Sequence, residues 1–297
     1  MKVVKLTKTD LDEFKAYLIK HRFEHDESFL YDDDIEGFQI NNKQITNLLI
    51  EDNQITGTIS LMLDDWFLRG GKSRIRIFHC EKGTKERYKI LLDSIPVLDE
   101  SIKHLELFMP SKNENVINIF YAIGFDYYRT TYVMKRENKE NVDIRLPNGF
   151  ELRDFVSGQD EQAYAKIRNR AFEKIEGNNT PITIDEVREH VTSKDVLVGG
   201  VKMVMHGNLP IGLVRMSLEE EAGKKYAVVA PIAIVPEFQG CGLGLELLKC
   251  GIIIGAENGL NNAMLVVNSE NEKALGLYKK AGFEVDFSVV SMRKPFF

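Results

Sequence analysis

Two stretches of the chain repeat one pattern of apolar and polar positions. Ala263-Met264-Leu265-Val266-Val267 is a short apolar run that predicts a buried strand. After a polar break, Ala274, Leu275, Tyr278 and Ala281 recur at helical spacing, and Gly282-Phe283 closes the segment. The glycine stands where a left-handed helix C-cap belongs, with the phenylalanine able to pack back on the helix. Leu105-Glu106-Leu107-Phe108-Met109 and Gly124-Phe125 repeat the arrangement 158 residues earlier (282 − 124 = 158). The same offset pairs Ser269 with Ser111, Asn271 with Asn113, Glu272 with Glu114 and Met292 with Met134. Several matches at one offset predict a duplicated domain. Both copies carry an S-x-x-E spacing, Ser269 to Glu272 and Ser111 to Glu114, which predicts a capping box at each helix start.

The second half gives further elements. Phe150–Phe155 alternates as a strand, and Asp160–Ile175 holds Ala163, Ile167, Ala171 and Ile175 on one helical stripe. Val201–Met205 and Ile211–Leu218 flank His206-Gly207-Asn208, which reads as a hairpin. Tyr226–Val235 is a strand interrupted by Pro231, where a missing N–H predicts a bulge or an unpaired stretch. A glycine loop, Gln239–Gly244, then leads into a helix from about Leu245 to Glu257, ended by Gly259. Strand, helix, antiparallel strands, then strand–loop–helix–strand–helix–strand predicts an α/β domain with a mixed, mostly antiparallel sheet flanked by helices.

Glu137–Asn148 is the most polar stretch and ends in turn formers, so it reads as a linker between domains at 1–138 and 149–297. A length of 297 residues agrees with two domains. The net charge of −6 argues against a uniformly basic nucleic-acid binder. Three widely spaced cysteines, Cys80, Cys241 and Cys250, form no disulfide framework, and the histidines show no metal-ligand spacing, so no metal is expected. No apolar run approaches the roughly 20 residues of a membrane span. A cytoplasmic protein without membrane or nucleic-acid partners is the expectation, as a monomer or homodimer.

The chemistry concentrates at Gln239-Gly240-Cys241-Gly242-Leu243-Gly244. A glycine-rich turn opening a helix presents orphan N–H groups and the positive end of the helix dipole, which together attract phosphate. No Gly-Lys-Ser/Thr follows, so this is not a Walker loop, and the glycine spacing differs from a dinucleotide fingerprint. Gln239-x-x-Gly242-x-Gly244 resembles the acyl-CoA pyrophosphate loop of the GCN5-related N-acetyltransferase (GNAT) family. Val267-Asn268-x-x-Asn271-x-x-Ala274-x-x-x-Tyr278-x-x-x-Gly282-Phe283 is similar to that family's second motif. The resemblance covers about residues 150–297 well and the first half through the second motif and the general layout alone.

That resemblance implies two tandem GNAT-like domains and an N-acetyltransferase that moves an acetyl or other short acyl group from acetyl-CoA to a primary amine, on a small molecule or a peptide. It implies that the amides of Gln239, Gly240, Cys241, Gly242, Leu243 and Gly244 hold the pyrophosphate. Ile234 and Val235 would pair with the pantetheine arm, one of their N–H groups polarising the thioester carbonyl. Asn271 would bond the pantetheine or phosphate region, and Tyr278 would protonate the leaving thiolate. The strand Tyr226–Val235 has no acid or histidine to serve as base; Glu219, Glu220, Glu221, His206 and a water relay are the candidates. The missing base keeps open a second reading, an acyl-CoA sensor or scaffold without turnover, against which the retained Tyr278 argues. In the first half the loop maps to Glu81-Lys82-Gly83-Thr84-Lys85-Glu86 and Tyr278 maps to Phe120, so this half reads as a degenerate, non-catalytic copy. The acidic run Glu24-His25-Asp26-Glu27 with Asp32–Asp34 and Glu36 reads as a solvated loop, and the basic stretch from Arg69 to Lys89 as a solvated face.

Overall fold

A computed structural model describes residues 1–24, 32–98, 100–137, 142–221 and 223–296. His25, Asp26 and Glu27 of the acidic run, and part of the polar stretch after Glu137, lie outside the described residues. In chain order the elements are β1 (Lys2–Lys5), α1 (Leu11–Lys20), α2 (Asp32–Glu36), β2 (Gln44–Glu51), β3 (Gln54–Met62), α3 (Asp65–Arg69), β4 (Lys72–Cys80), α4 (Lys85–Asp93), β5 (His104–Pro110), α5 (Glu114–Ala122) and β6 (Asp126–Glu137). They continue with β7 (Phe150–Asp154), α6 (Glu161–Phe172), α7 (Ile184–Thr192), β8 (Val196–His206), β9 (Leu209–Glu221), β10 (Lys224–Ile234), α8 (Leu243–Glu257), β11 (Asn262–Asn268), α9 (Glu272–Lys280) and β12 (Glu284–Pro295).

The chain forms two compact units. Unit 1 comprises Met1–Thr131 and Ser288–Phe297, and unit 2 comprises Tyr132–Phe287. These differ from the sequence halves 1–138 and 149–297: the long strands β6 and β12 each belong in part to both units. Each unit therefore ends its sheet with strand residues from the other repeat. In unit 1 the strand order is β1-β2-β3-β4-β5-β12 and in unit 2 it is β7-β8-β9-β10-β11-β6. Among the pairs whose register is described, each unit has one parallel pair among antiparallel ones, β4 with β5 and β10 with β11. The mixed, mostly antiparallel sheet expected from the element order is thus present in each unit.

The apolar alternation of these strands feeds the cores. In unit 2, Leu213, Val214 and Met216 of β9, Ala227 and Val229 of β10, and Leu247, Leu248 and Ile252 of α8 are buried together with Met134 of β6. In unit 1, Ile59, Leu61, Ile75, Leu105 and Leu107 surround Phe120, and Met292 of β12 closes the cluster. Among the described residues no helix is long and apolar enough to cross a membrane.

The repeated helix ends are built as their sequences predict. Phe283 N–H donates to Tyr278 O and Gly282 N–H to Lys279 O, with Phe125 to Phe120 and Gly124 to Tyr121 repeating the pair. These are Schellman caps. The helix starts differ from expectation. α9 begins at Glu272 with Asn271 as its N-cap, and α5 begins at Glu114 with Asn113 in that place. Ser269 and Ser111 lie outside, because Asn271 N–H and Asn113 N–H turn back to Asn268 O and Pro110 O before the helix begins. Asn271 Oδ1 then accepts from Ala274 N–H at 3.2 Å.

Candidate functional site

The site grows from a defect in the sheet of unit 2. β10 pairs with β11 in register at Ala227↔Ala263 and Val228↔Met264, and the two strands part beyond these positions. On its other side β10 follows β9 to its end, with a register shift between Val229 and Ile232 around Pro231. That is the bulge the proline predicts. Arg215 of β9 spans it, donating from Nη1 to Ala230 O at 3.1 Å, from Nε to His190 O at 2.9 Å and from Nη2 to Asp195 at 3.0 Å. The last residues of β10 are thereby held against β9 alone, leaving a gap toward β11.

Ladder alternation decides which groups face that gap. Val235 N–H donates to Ile211 O at 2.9 Å. Neighbouring residues in an antiparallel pair alternate between bonding inward and facing away. Ile234, opposite Gly212, therefore turns its N–H and C=O from β9 toward the gap. Of the two residues expected to meet the thioester arm, Ile234 has the outward N–H; the N–H of Val235 is consumed in the ladder, which corrects that part of the expectation.

A 3-10 turn, Pro236–Phe238, leads from the strand to the glycine loop. Gln239 Nε2 folds back to Ile234 O at 2.9 Å and ties the loop to the strand end. Arg170 of α6 pairs with Glu237 of the turn. Gly240 and Gly242 both have φ of +83°, a conformation open to glycine at little cost, and a Cβ on either would meet nothing within 4 Å. Cys241 between them is exposed. Gly242 is the N-cap of α8 and provides no side-chain cap. The first amides of a fifteen-residue helix therefore have no intrahelical or side-chain acceptor. Leu243 is buried in the core and anchors that end.

Gly244 serves a different need. A Cβ there would lie 2.8 Å from Leu277 Cδ1 and 4.0 Å from Ile234 Cδ1, so its absence lets α9 cross the start of α8 beside the strand end. Tyr278, the next residue on α9, is 8% exposed. Burial raises its phenol to about 12, so it holds its proton throughout the neutral range. Asn271 caps the same helix through Oδ1, which leaves its amide nitrogen, rather than its oxygen, for a ligand.

The same place in unit 1 is closed. β4 and β5 also part after Arg74↔Glu106. Yet Thr84, the counterpart of Gly242, accepts from Arg87 N–H and so caps α4 itself. Phe120, the counterpart of Tyr278, is fully buried, stacked on Phe78 at 5.0 Å and edge-on to Tyr88 at 5.1 Å. Rings from β4, α4 and α5 fill the space, and no phenol stands at the position of Tyr278.

Of the candidate bases, Glu219, Glu220 and Glu221 pair with Tyr226, Lys225 and Lys224 at the opposite end of β10. Eight to ten residues of strand put them roughly 25–35 Å from Ile234. Glu221 is also engaged by Lys135 at 2.5 Å. They are not the base. His206 lies at the correct end, packed against Phe150 at 4.9 Å and Phe238 at 5.2 Å. The Gln239, Arg170 and Arg215 contacts could not be read from the sequence, because their partners depend on register and long-range packing. The Thr183-x-x-Glu186 box that starts α7 was a readable signal.

Residues 163–283 match the model of the Acetyltransferase (GNAT) family. Over this segment the chain is similar to that family. The match takes in the bulged β10, the glycine loop, α8, α9 and the cap at Phe283. Solved structures resemble the chain over nearly its whole length. A GCN5-related N-acetyltransferase from Sphaerobacter thermophilus gives a TM-score of 0.68 at 18% identity, covering 99% of this chain and 95% of that one. A tandem GNAT protein from the clavulanic acid biosynthesis pathway gives 0.67 at 11% identity, covering 100% and 98%. At such identities the likeness is one of fold, and it is the tandem GNAT-like fold expected from the repeat. Among curated proteins, the mycothiol acetyltransferase of Kocuria rhizophila is 30% identical over 148 residues, 48% of this chain and 48% of that protein. That of Paenarthrobacter aurescens is 34% identical over 144 residues, 48% of this chain and 44% of that protein. The chain spans about half the length of these relatives.

Proposed function

We propose that the GNAT-like domain transfers an acetyl group from acetyl-CoA to a primary amine by direct attack on the thioester. The observation that carries this reading is the uncapped start of α8 beside the parted strands β10 and β11. Those amides and the helix dipole suit a diphosphate. The gap suits an extended amide-bearing arm, which pairs with the outward N–H and C=O of Ile234. Pairing at Ile234 O requires Gln239 Nε2 to move aside, so Gln239 covers the strand end until the arm arrives.

The neutral amine attacks the carbonyl carbon, forming the C–N bond as the carbonyl oxygen becomes an oxyanion. A preorganised donor at that oxygen, the Ile234 N–H, is worth roughly 2.7–4 kcal/mol. Collapse breaks the C–S bond, and the Tyr278 hydroxyl donates to the departing sulfur. The proton lost by the amine leaves through water, since β10 contains neither an acid nor a histidine. The names of the curated relatives favour a small-molecule acceptor of the mycothiol class over a peptide.

Calorimetry with acetyl-CoA tests the site. Gly242→Glu places a carboxylate in the loop at a left-handed position with open space around it. Left-handed backbone costs a non-glycine residue about 1–2 kcal/mol, a modest loss of stability. Affinity for acetyl-CoA should fall by more than tenfold while the circular dichroism spectrum is retained. Equal binding by both proteins would remove the diphosphate assignment. Release of free thiol across a panel of amines separates an enzyme from a sensor, because a sensor binds acetyl-CoA without releasing thiol.

A further inference from the structure

Unit 1 carries a cluster of side chains that the acetyl-transfer site does not use. His21 follows α1, Glu24 ends the 3-10 turn Arg22–Glu24, and His79 lies on β4. Glu24 Oε1 stands 2.9 Å from His21 Nδ1, and Glu24 Oε2 stands 3.0 Å from His79 Nε2. One ligand atom from each of the three residues falls within 4.8 Å of the others. Both histidines are buried, whereas the Glu24 side chain is 57% exposed.

The outer contacts of the histidines matter as much as the inner ones. His21 Nε2 meets Glu81 Oε1 at 3.1 Å, and Lys20 holds that carboxylate at 2.7 Å. His79 Nδ1 meets Tyr17 Oη at 2.5 Å. Each imidazole thus turns one nitrogen toward Glu24 and rests the other on a partner that fixes its ring. That is how metal-binding histidines are oriented: the ring nitrogen away from the metal donates to a carboxylate or another oxygen. Hydrogen-bond accounting agrees. Both nitrogens of His21 face carboxylate oxygens, and a neutral imidazole has a single N–H to give. With Nε2–H donating to Glu81, a neutral His21 turns its Nδ1 lone pair toward Glu24, and a cation bound between them, as an added proton would, joins the two.

We propose that His21, Glu24 and His79 bind a divalent transition-metal ion, with zinc as the best match. Two imidazoles and one carboxylate suit zinc and its first-row neighbours better than calcium or magnesium. Tetrahedral zinc with bonds of about 2.0–2.1 Å sets its ligand atoms about 3.3–3.4 Å apart, so the most widely separated of these ligand atoms, within 4.8 Å now, draw together by up to about 1.5 Å. The exposed Glu24 has the freedom to follow. Three protein ligands leave the fourth tetrahedral position to water. The ion fastens the end of α1 and the 3-10 turn to the end of β4. The sequence concealed this set, because H-x-x-E supplies two ligands and the third lies 55 residues beyond Glu24.

The full chain, freed of metal by a chelator, is titrated with zinc chloride in a calorimeter. We expect one equivalent bound in the micromolar range or tighter, and a rise in unfolding temperature with zinc. Glu24→Gln, at an exposed position where folding is not at stake, should weaken binding at least tenfold and cancel the rise. Glu81→Gln, which touches a ligand rather than the ion, should weaken it about 10–100-fold. Cobalt in place of zinc should give the visible absorption of a tetrahedral nitrogen–oxygen site. Failure of the wild-type chain to take up zinc, or uptake with the same affinity in Glu24→Gln, would overturn the proposal.

Discussion

Tyr278→Phe is expected to lower turnover by about 10²–10⁴ while leaving the affinity for acetyl-CoA near that of the wild type. The range is that of a positioned proton donor. Three features set it. The ring is packed in the core beside Phe283, so phenylalanine fits the same space. The Schellman cap at Gly282 uses the Tyr278 carbonyl and survives the substitution. The hydroxyl makes no hydrogen bond to the described residues, so its loss leaves no protein partner stranded. Proton donation here is not strongly driven. A thiol has an ordinary value of about 8.5, well below a phenol raised by burial to about 12. The phenol therefore acts by donating a hydrogen bond as negative charge builds on sulfur and keeps its own proton, and the released thiolate is protonated by water. The pH profile follows in sign. A group that must be protonated imposes a falling limb above its own titration, so Tyr278 permits activity up to about pH 11. The rising limb belongs to the acceptor amine and is the same in both proteins. Steady-state kinetics against pH, with calorimetry for the cofactor, checks all three statements; unchanged kcat in Tyr278→Phe removes the assigned role.

Legibility in the sequence followed the range of the interactions. The Schellman caps at Gly124 and Gly282 were readable because each involves six consecutive residues. The bulge at Pro231 was readable because a missing N–H is local chemistry. Helix starts were less secure: Ser269 and Asn271 both offer a capping oxygen, and the chain uses the second. The outward N–H at Ile234 could not be read, because it depends on which β10 residues bond inward to β9, and that alternation is set by the shift between Val229 and Ile232. For the same reason Glu219–Glu221 looked close to the site in sequence while β10 carried them to the far end of the sheet. The exchange of β6 and β12 between units was invisible too, since both repeats end in strands of the same pattern. The closure of unit 1 was half legible: Phe120 announced the loss of the phenol, whereas the Thr84 cap shows why the loop needs no anion.

The second large effect concerns the stability of unit 1 and one buried carboxylate. Glu106 of β5 is 2% exposed and lies 3.6 Å from Lys72 Nζ, itself 5% exposed. Arg293 of β12 reaches it at 2.6 Å, and His104 approaches at 3.5 Å. Burial alone would raise the Glu106 carboxyl, but His104 close by, the charges of Lys72 and Arg293 and the Arg293 hydrogen bond outweigh it and bring the value down from 4.5 to about 2. A fall of that size corresponds to about 3 kcal/mol. Replacing such a partner strands the remaining buried charges, which costs about 3–5 kcal/mol. Lys72 suffers most, because burial already opposes its charged form and the Glu106 charge is what offsets it. Glu106→Gln keeps the shape and removes the charge, so it should lower the stability of unit 1 by this amount at pH 7. The sign with pH is fixed. A carboxyl depressed in the folded state stabilises fully above its unfolded value near 4.5, and the gain disappears as pH falls toward 2. The difference between wild type and Glu106→Gln should therefore be constant from pH 7 to about 5 and shrink steadily below that. Trp66 is the sole tryptophan, and its ring lies 4.8 Å from Lys72 Nζ, so its fluorescence in urea reports the unit that contains the network. A stability difference that stayed the same down to pH 2.5 would mean that the Glu106 charge is not what holds Lys72 and Arg293 in place.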